Sequence, residues 1–343
     1  MTDESGAGAK THEMPLVSVV VIGRNEGQRL QRCLDSIAGM SRRGFEVEVI
    51  YVDSDSTDGS VALAEAANAR TIALKPTRPS AALGRNAGWK VAQGSFVLFL
   101  DGDTVLHPEF VADSLADLSK DEIGIVWGNL RELYPERSLY IRVLDLDWIY
   151  PPGYTSFCGG NALYRRSILE ATDGFDDTLV AGEEPELCQR ITALGYRILH
   201  ADRPMAGHDL AITRWQQYWK RSTRSGHAYA EVSARFRGTA QPFWACEARS
   251  NRNRFMLFLA CLVAGVAGSV LIRSLIPIGL FCLFIAALSL RSAWKARWKT
   301  NDLFGLVLYG LHSHVQQVPL YIGQLQYQRS QKKGIRRSLF EYK

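Results

Sequence analysis

Between residues 16 and 101, short apolar runs alternate with segments of helical spacing, and this alternation leaves the chain very few architectures. "LVSVVVI" (16–22), "FEVEVIYV" (45–52), "RTIAL" (70–74) and "SFVLFL" (95–100) read as strands. Between them "GQRLQRCLDSI" (27–37) sets Leu30, Cys33, Leu34 and Ile37 at helical intervals. "VALAEAANA" and "ALGRNAGWKVAQG" (82–94) read as two further helices, the latter closed by Gly94. Strands and helices in this rhythm predict an α/β fold with a parallel, doubly wound sheet of Rossmann-like type. Ligands of such sheets bind outside the carboxyl ends of the strands. Asp53 and Asp55 follow the second strand and Asp101 and Asp103 the fourth, so all four can converge on one crevice.

Carboxylates at the end of a buried strand are costly unless they are paired or bound to a cation. With Gly102 between them, Asp101 and Asp103 can hold a hard divalent ion, whose remaining ligands are phosphate oxygens and water. The plain alternative is an Asp-Gly-Asp turn. A formal charge of +5 suits an anionic substrate or an acidic membrane surface, and is too diffuse to point to nucleic acid. The six cysteines, at 33, 158, 188, 246, 261 and 282, show no CxxC spacing and fit reduced thiols with neither a zinc site nor a disulfide framework. Residues 1–14 are polar and Gly/Ala-rich and read as a disordered tail.

"VSVVVIGRNEGQRLQRCLDSI", "VIYVDSDSTDGS", "GRNAGWKVAQGSFVLFLDGDT", "GGNALYRRSIL" and "GFDDTLVAGEEPELCQRI" follow one another in the order seen in family 2 glycosyltransferases. The chain resembles that family over residues 16–230. The resemblance implies a GT-A fold with a mixed sheet, a UDP- or GDP-linked nucleotide-diphosphate sugar as donor, Mg²⁺ or Mn²⁺ as cofactor, and inversion at the anomeric carbon. It matches Asp53 to the first carboxylate of the loop that holds base and ribose. Ser54 stands where a second carboxylate is common, which leaves Asp55 as a substitute. Arg85 takes the place of a basic residue that meets the nucleotide phosphates. Asp101 and Asp103 resemble the DxD pair, Asp103 as the direct metal ligand and Asp101 nearer the ribose and metal-bound water.

By the same resemblance Gly159, Gly160 and Asn161 belong to the acceptor-side wall, and Glu183 to the acceptor side. Glu184, beside Glu183, takes the place of a catalytic base that is usually Asp. The local sequence bears on this position independently. Pro185 suits the first turn of a helix, Leu187, Ile191 and Leu194 form its apolar stripe, and Gly195 ends it. Near that N-cap the macrodipole favours an ionised Glu184, and Glu183 opposes it by like-charge repulsion. A helix-capping acid is the plain alternative. His208 is a candidate third metal or phosphate contact, or else a structural histidine. His312 and His314 are two apart and point to different sides of a helix, a poor metal spacing.

"FMLFLACLVAGVAGSVLI" (255–272) and "SLIPIGLFCLFIAALSL" (274–290) are uncharged, and only Arg273 separates them. Their lengths of 18 and 17 residues predict a transmembrane hairpin. Basic residues flank it (Arg249, Arg252 and Arg254 before; Arg291, Lys295, Arg297 and Lys299 after), so the positive-inside rule places the catalytic domain in the cytoplasm. The segment 303–323 is interrupted by polar residues and reads as interfacial or re-entrant, with a basic tail at 324–343 resting on anionic lipid. "RWQQYWKRSTRSGHAY" (214–229) has the chemistry of an interfacial helix, although packing accounts equally well for its aromatics. The expected division is therefore a GT-A domain at 15–250 and a membrane region at 251–343. The expected function is sugar transfer to a lipid-linked glycan or surface polysaccharide at the cytoplasmic face of the inner membrane. The alternatives are a polyprenyl-phosphate sugar synthase and, from another class, a non-catalytic scaffold of a polysaccharide export complex.

Overall fold

The computed structural model describes residues 14–334, so all but the last residue of the expected 1–14 tail and the end of the basic tail lie outside the described residues. β1 (Leu16–Gly23), α1 (Gln28–Ala38), β2 (Glu46–Ser54), α2 (Ser60–Ala66), β3 (Arg70–Leu74), α3 (Ala81–Val91) and β4 (Phe96–Asp101) follow the alternation read from the sequence. The strands pair in parallel in the order β3–β2–β1–β4. Helices cover both faces, which is why β4 is one apolar run: Val97, Leu98, Phe99 and Leu100 have no exposed surface. Helix α1 buries Leu30, Cys33, Leu34 and Ile37, the stripe its spacing predicts. Helix α3, however, stops at Val91, short of Gly94. Gly94 serves a close approach to β1 instead, since a Cβ there would lie 2.6 Å from the Leu16 carbonyl oxygen.

Beyond β4 the sheet becomes mixed. β5 (Thr104–Leu106), α4 (Phe110–Asp117), β6 (Ile123–Glu132), α5 (Leu139–Asp147), β7 (Gly153–Thr155), β8 (Ala162–Arg165), α6 (Arg166–Thr172), α7 (Glu183–Ala193) and β9 (Arg197–His208) extend the order to β3–β2–β1–β4–β8–β6–β9–β5, with β7 pairing β9. β8 runs antiparallel to both β4 and β6, whereas β6 and β9 are parallel. The reversal at β8 positions the site. Phe99 pairs with Ala162, and continuing that register by two residues sets Gly160 opposite Asp101.

After the sheet come α8 (Trp215–Arg235), α9 (Ala245–Ile272), α10 (Ile276–Ala296), α11 (Leu303–Val315) and α12 (Gln317–Lys332). In α8, Tyr218 is buried in a small second core with Ile141, Leu144 and Ile212, so packing accounts for part of that helix's aromatic character while Trp215 stays exposed. α9 and α10 are long and apolar enough to cross a membrane, and their apolar windows are only 6% and 11% buried, unlike the core helix of a soluble protein. The expected boundary at 250/251 falls inside α9, because its first turns carry polar residues that mask where the helix begins.

The segment 303–323, expected to be interfacial or re-entrant, forms parts of two helices. It breaks at Gln316 into α11 and α12, with Pro319 in the first turn of α12. α11 lies so close to α10 that a Cβ on Gly310 would overlap the Ser289 carbonyl, and Gly323 of α12 meets the Thr223 carbonyl of α8 in the same way. The two histidines are helix-to-helix contacts: His312 Nδ1 lies 2.8 Å from the Tyr218 hydroxyl of α8, while His314 turns to Ser292 of α10.

Candidate active site

Three elements bring four charged side chains together. Arg85 comes from α3, Asp101 from the end of β4, and Glu183 and Glu184 from the first turn of α7, whose N-cap is Gly182. The Arg85 guanidinium forks between them. Nη2 lies 3.0 Å from Asp101 Oδ1, and Nη1 lies 2.9 Å from Glu183 Oε1 and 2.8 Å from Glu184 Oε1. Burial works against the charge on Arg85, yet Glu184, Asp101 and Glu183 raise its pKa above the ordinary arginine value. Arg85 is only 2% exposed and lies beneath the cavity, so its position is that of a link between carboxylates rather than a surface for a diphosphate.

Glu184 is the second residue of α7 and keeps 15% of its side chain exposed. Burial, and then Glu183, push its carboxyl up to about 7, while Arg85 pulls the other way. The helix terminus does not dominate: the expected repulsion from Glu183 is present, and burial adds a larger effect in the same direction. Gly160 seals the arrangement. A Cβ there would lie 2.3 Å from Arg85 Nη2, 3.1 Å from Glu184 Oε1 and 3.2 Å from Asp101 Oδ2, so only glycine lets the acceptor-side wall close over the ion cluster. Gly159 faces open space and has no such requirement. Asn161 fixes the end of β4 by accepting the Asp101 backbone N–H at 2.9 Å.

A cavity of about 320 Å³ opens on this cluster. Asp101, Gly159, Gly160, Asn161, Glu183, Glu184 and His208 line its polar side, and Trp127, Trp148, Tyr150 and Trp244 supply rings to the other. Few polar groups converging in an apolar cleft is the usual composition of a small-molecule site.

Asp103 is buried beside His208, which lines the cavity. His208 Nε2 is 3.3 Å from Asp103 Oδ2, and His208 Nδ1 is 2.7 Å from Glu132 Oε1. Burial would lower the His208 pKa, but Asp103 and Glu132 outweigh it and raise it to about 10. Glu132 also accepts the Trp148 indole N–H at 2.9 Å and the Leu210 backbone N–H at 3.1 Å. Sequence reasoning overlooked Glu132, although it shows the same signal as Asp53 and Asp101, a carboxylate closing an apolar strand. Among the described residues no three His, Cys, Asp or Glu side chains are grouped to enclose a metal by themselves. Asp103 and Asp101 nevertheless fit an ion that takes most of its shell from phosphate and water, and His208 could join them only after giving up the proton that Asp103 and Glu132 stabilise, which a bound cation would favour.

Asp53 and Asp101 flank the end of β1, opposite Gly23 and Ile22 respectively. Asp53 is buried and shapes its own loop, accepting the Tyr51 hydroxyl at 3.0 Å and the Ser56 backbone N–H at 2.8 Å. Asp55 is exposed in a left-handed conformation. Neither lines the cavity, which gathers Asp101, Glu183, Glu184, His208 and the 159–161 wall.

The family model for glycosyl transferase family 2 matches residues 18–172, and that for glycosyl transferase family group 2 matches residues 96–294. The chain belongs to family 2 of the glycosyltransferases. This glycosyltransferase is 24% identical over 209 residues to glycosyltransferase AglE of Haloferax volcanii, covering 58% of this chain and 68% of AglE. It is 26% identical over 243 residues to the probable glycosyltransferase YdaM of Bacillus subtilis, covering 65% of this chain but only 57% of YdaM. Its fold resembles that of the mannosyltransferase PcManGT of Pyrobaculum calidifontis, solved with GDP-Man and Mn²⁺, at a TM-score of 0.66 and 19% identity, covering 92% of this chain and 88% of that one. TarS of S. aureus, solved with UDP-GlcNAc, superposes at a TM-score of 0.51 and 16% identity over 94% of this chain and 93% of its own. The mixed sheet is the GT-A fold, and the protein is a glycosyltransferase enzyme.

Proposed function

We propose that this glycosyltransferase moves a sugar, with inversion, from a nucleotide-diphosphate sugar to a hydroxyl of a lipid-linked glycan or surface polysaccharide. The observation that carries the reading is the Arg85 fork, which ties the donor-side Asp101 to Glu183 and Glu184 on one cavity wall. The GDP-Man and Mn²⁺ in PcManGT and the UDP-GlcNAc in TarS support a nucleotide-sugar donor and a divalent ion. In this scheme Glu184 takes the proton of the acceptor hydroxyl as its oxygen attacks the anomeric carbon. The bond to the diphosphate breaks on the opposite face, and a single displacement inverts the configuration. Glu183 and Arg85 hold Glu184 in place, Asp101 orients the donor, and Asp53 and Asp55 shape the nucleotide-side loop. Asp103, with Asp101 and His208, would hold Mg²⁺ or Mn²⁺, which when bound neutralises charge on the departing diphosphate.

The test is the metal. Asp103→Asn is expected to abolish metal-dependent donor turnover while the far-UV circular dichroism stays that of the wild type. Undiminished turnover by the wild type in excess EDTA would remove the divalent ion from the scheme.

The membrane side of the proposal rests on α9 and α10, with the GT-A domain on the cytoplasmic face of the inner membrane. Arg273 caps α9 alone at the turn, while Arg249, Arg252, Arg254, Arg291, Lys295, Arg297 and Lys299 sit at the opposite end. In a background without native cysteines, Arg273→Cys should react with an impermeant thiol reagent from outside the cell, and Ser250→Cys only after permeabilisation. The reverse pattern would invert the topology.

A further inference from the structure

A second cavity, of about 630 Å³, lies behind the first, where α8 meets the polar ends of the candidate membrane helices. The two cavities share a wall of Trp148, Tyr150, Arg221, Ser225 and Tyr229. Arg254 lines the far side immediately before the uncharged run of α9, and Lys299 lines it just past the end of α10. Both cations therefore stand at one level, the level of lipid headgroups when the hairpin spans a bilayer.

Three cations line this space, Arg221, Arg254 and Lys299, against two carboxylates, Asp147 and Glu247. Asp147 is already engaged, its Oδ2 3.3 Å from His312 Nε2. Arg221 lies over the Trp148 ring at 5.0 Å, in the shared wall, and Arg254 is exposed at the rim. Lys299 donates to the Leu146 carbonyl at 2.7 Å and lies 3.3 Å from the Tyr309 hydroxyl. Guanidinium forks beside a phenol and an ammonium are the groups that recognise phosphate oxygens.

We infer that the second cavity binds the phosphate or diphosphate group of a membrane-borne acceptor, whose glycan crosses the shared wall to reach Glu184. This rests on the lipid-linked acceptor proposed above. A bulk anionic phospholipid or free phosphate carries the same chemistry. The shared wall favours an acceptor, because a group anchored here presents what it carries directly to the first cavity.

The test uses the full chain in nanodiscs of neutral phosphatidylcholine, with EDTA present so that a metal-dependent donor site does not take up diphosphate. Radiolabelled farnesyl diphosphate is the probe. It should bind the wild type, and Arg254→Gln and Arg221→Gln should each weaken it about tenfold, the effect of one lost charge-assisted contact. Phosphatidylglycerol should not displace it, and inorganic pyrophosphate should bind far more weakly. Absence of binding, or unchanged affinity in both variants, overturns the inference. So does displacement by phosphatidylglycerol, which would mean a general anionic surface, or equal binding of pyrophosphate, which would mean a free-phosphate site. Metal-dependent donor hydrolysis by the same preparation is read separately. Its absence in the wild type counts against the proposed donor chemistry, while the probe alone decides on the cavity.

Discussion

Glu184→Gln is expected to lower turnover by about 10²- to 10⁴-fold, the usual contribution of a general base, with donor affinity nearly unchanged. The amide keeps the size of the side chain and can still accept a hydrogen bond from Arg85, but it cannot take a proton. The wild-type pH profile supplies a second readout. With its carboxyl near 7, Glu184 becomes competent as pH rises through that value, so kcat/KM should climb across neutral pH. The Gln variant should lack that limb. Stability should move in the opposite direction. The folded carboxyl holds its proton up to about 7 while the unfolded one releases it near 4.5, so this contribution is complete below 4.5 and is lost as pH rises to about 7. Melting temperature against pH, on wild type and variant, measures it. Turnover surviving in Glu184→Gln but not in Glu183→Gln would make Glu183 the base.

Arg85→Gln should be strongly destabilising. It would leave Asp101, Glu183 and Glu184 facing one another with the guanidinium gone, and breaking a buried ion pair costs about 3–5 kcal/mol. The urea midpoint should fall accordingly. The same change should push the Glu184 pKa further up, because Arg85 is what restrains it, and so move the rising limb of the activity profile to higher pH. Arg85→Lys separates charge from shape. An ammonium restores one positive charge but cannot fork to three carboxylates, so it should recover part of the stability and little of the geometry. A midpoint unchanged in Arg85→Gln would mean that the cluster is already neutralised by protonation.

These effects depend on contacts between distant residues, and the sequence discloses such contacts unevenly. Asp101 and the Glu183–Glu184 pair were legible because each sits at an element terminus that short-range spacing defines. The direction of Arg85 was not. Its motif places it in α3, but only the antiparallel return of β8, bringing Gly160 over Asp101, turns the guanidinium into a buried link. The pairing of His208 with Glu132, 76 residues apart, was hidden for the same reason.

By itself the sequence determined the four parallel strands and their helices, the carboxylates at the strand ends, the helix that ends at Gly195, and the apolar hairpin around Arg273. All of these follow from patterns a few residues long, in which periodicity, turn formers and apolar run length act through neighbours along the chain. Tertiary structure alone decided that Arg85 lies beneath the cavity, that α9 begins at Ala245, and that 303–323 breaks at Gln316 to dock on α8 and α10. Those outcomes are set by which surfaces meet. The polar residues of α11 read as interruptions of a membrane segment until Tyr218 and Asp147 are seen to receive His312, and a buried histidine with two partners stabilises a docked helix where an unpaired one would oppose it.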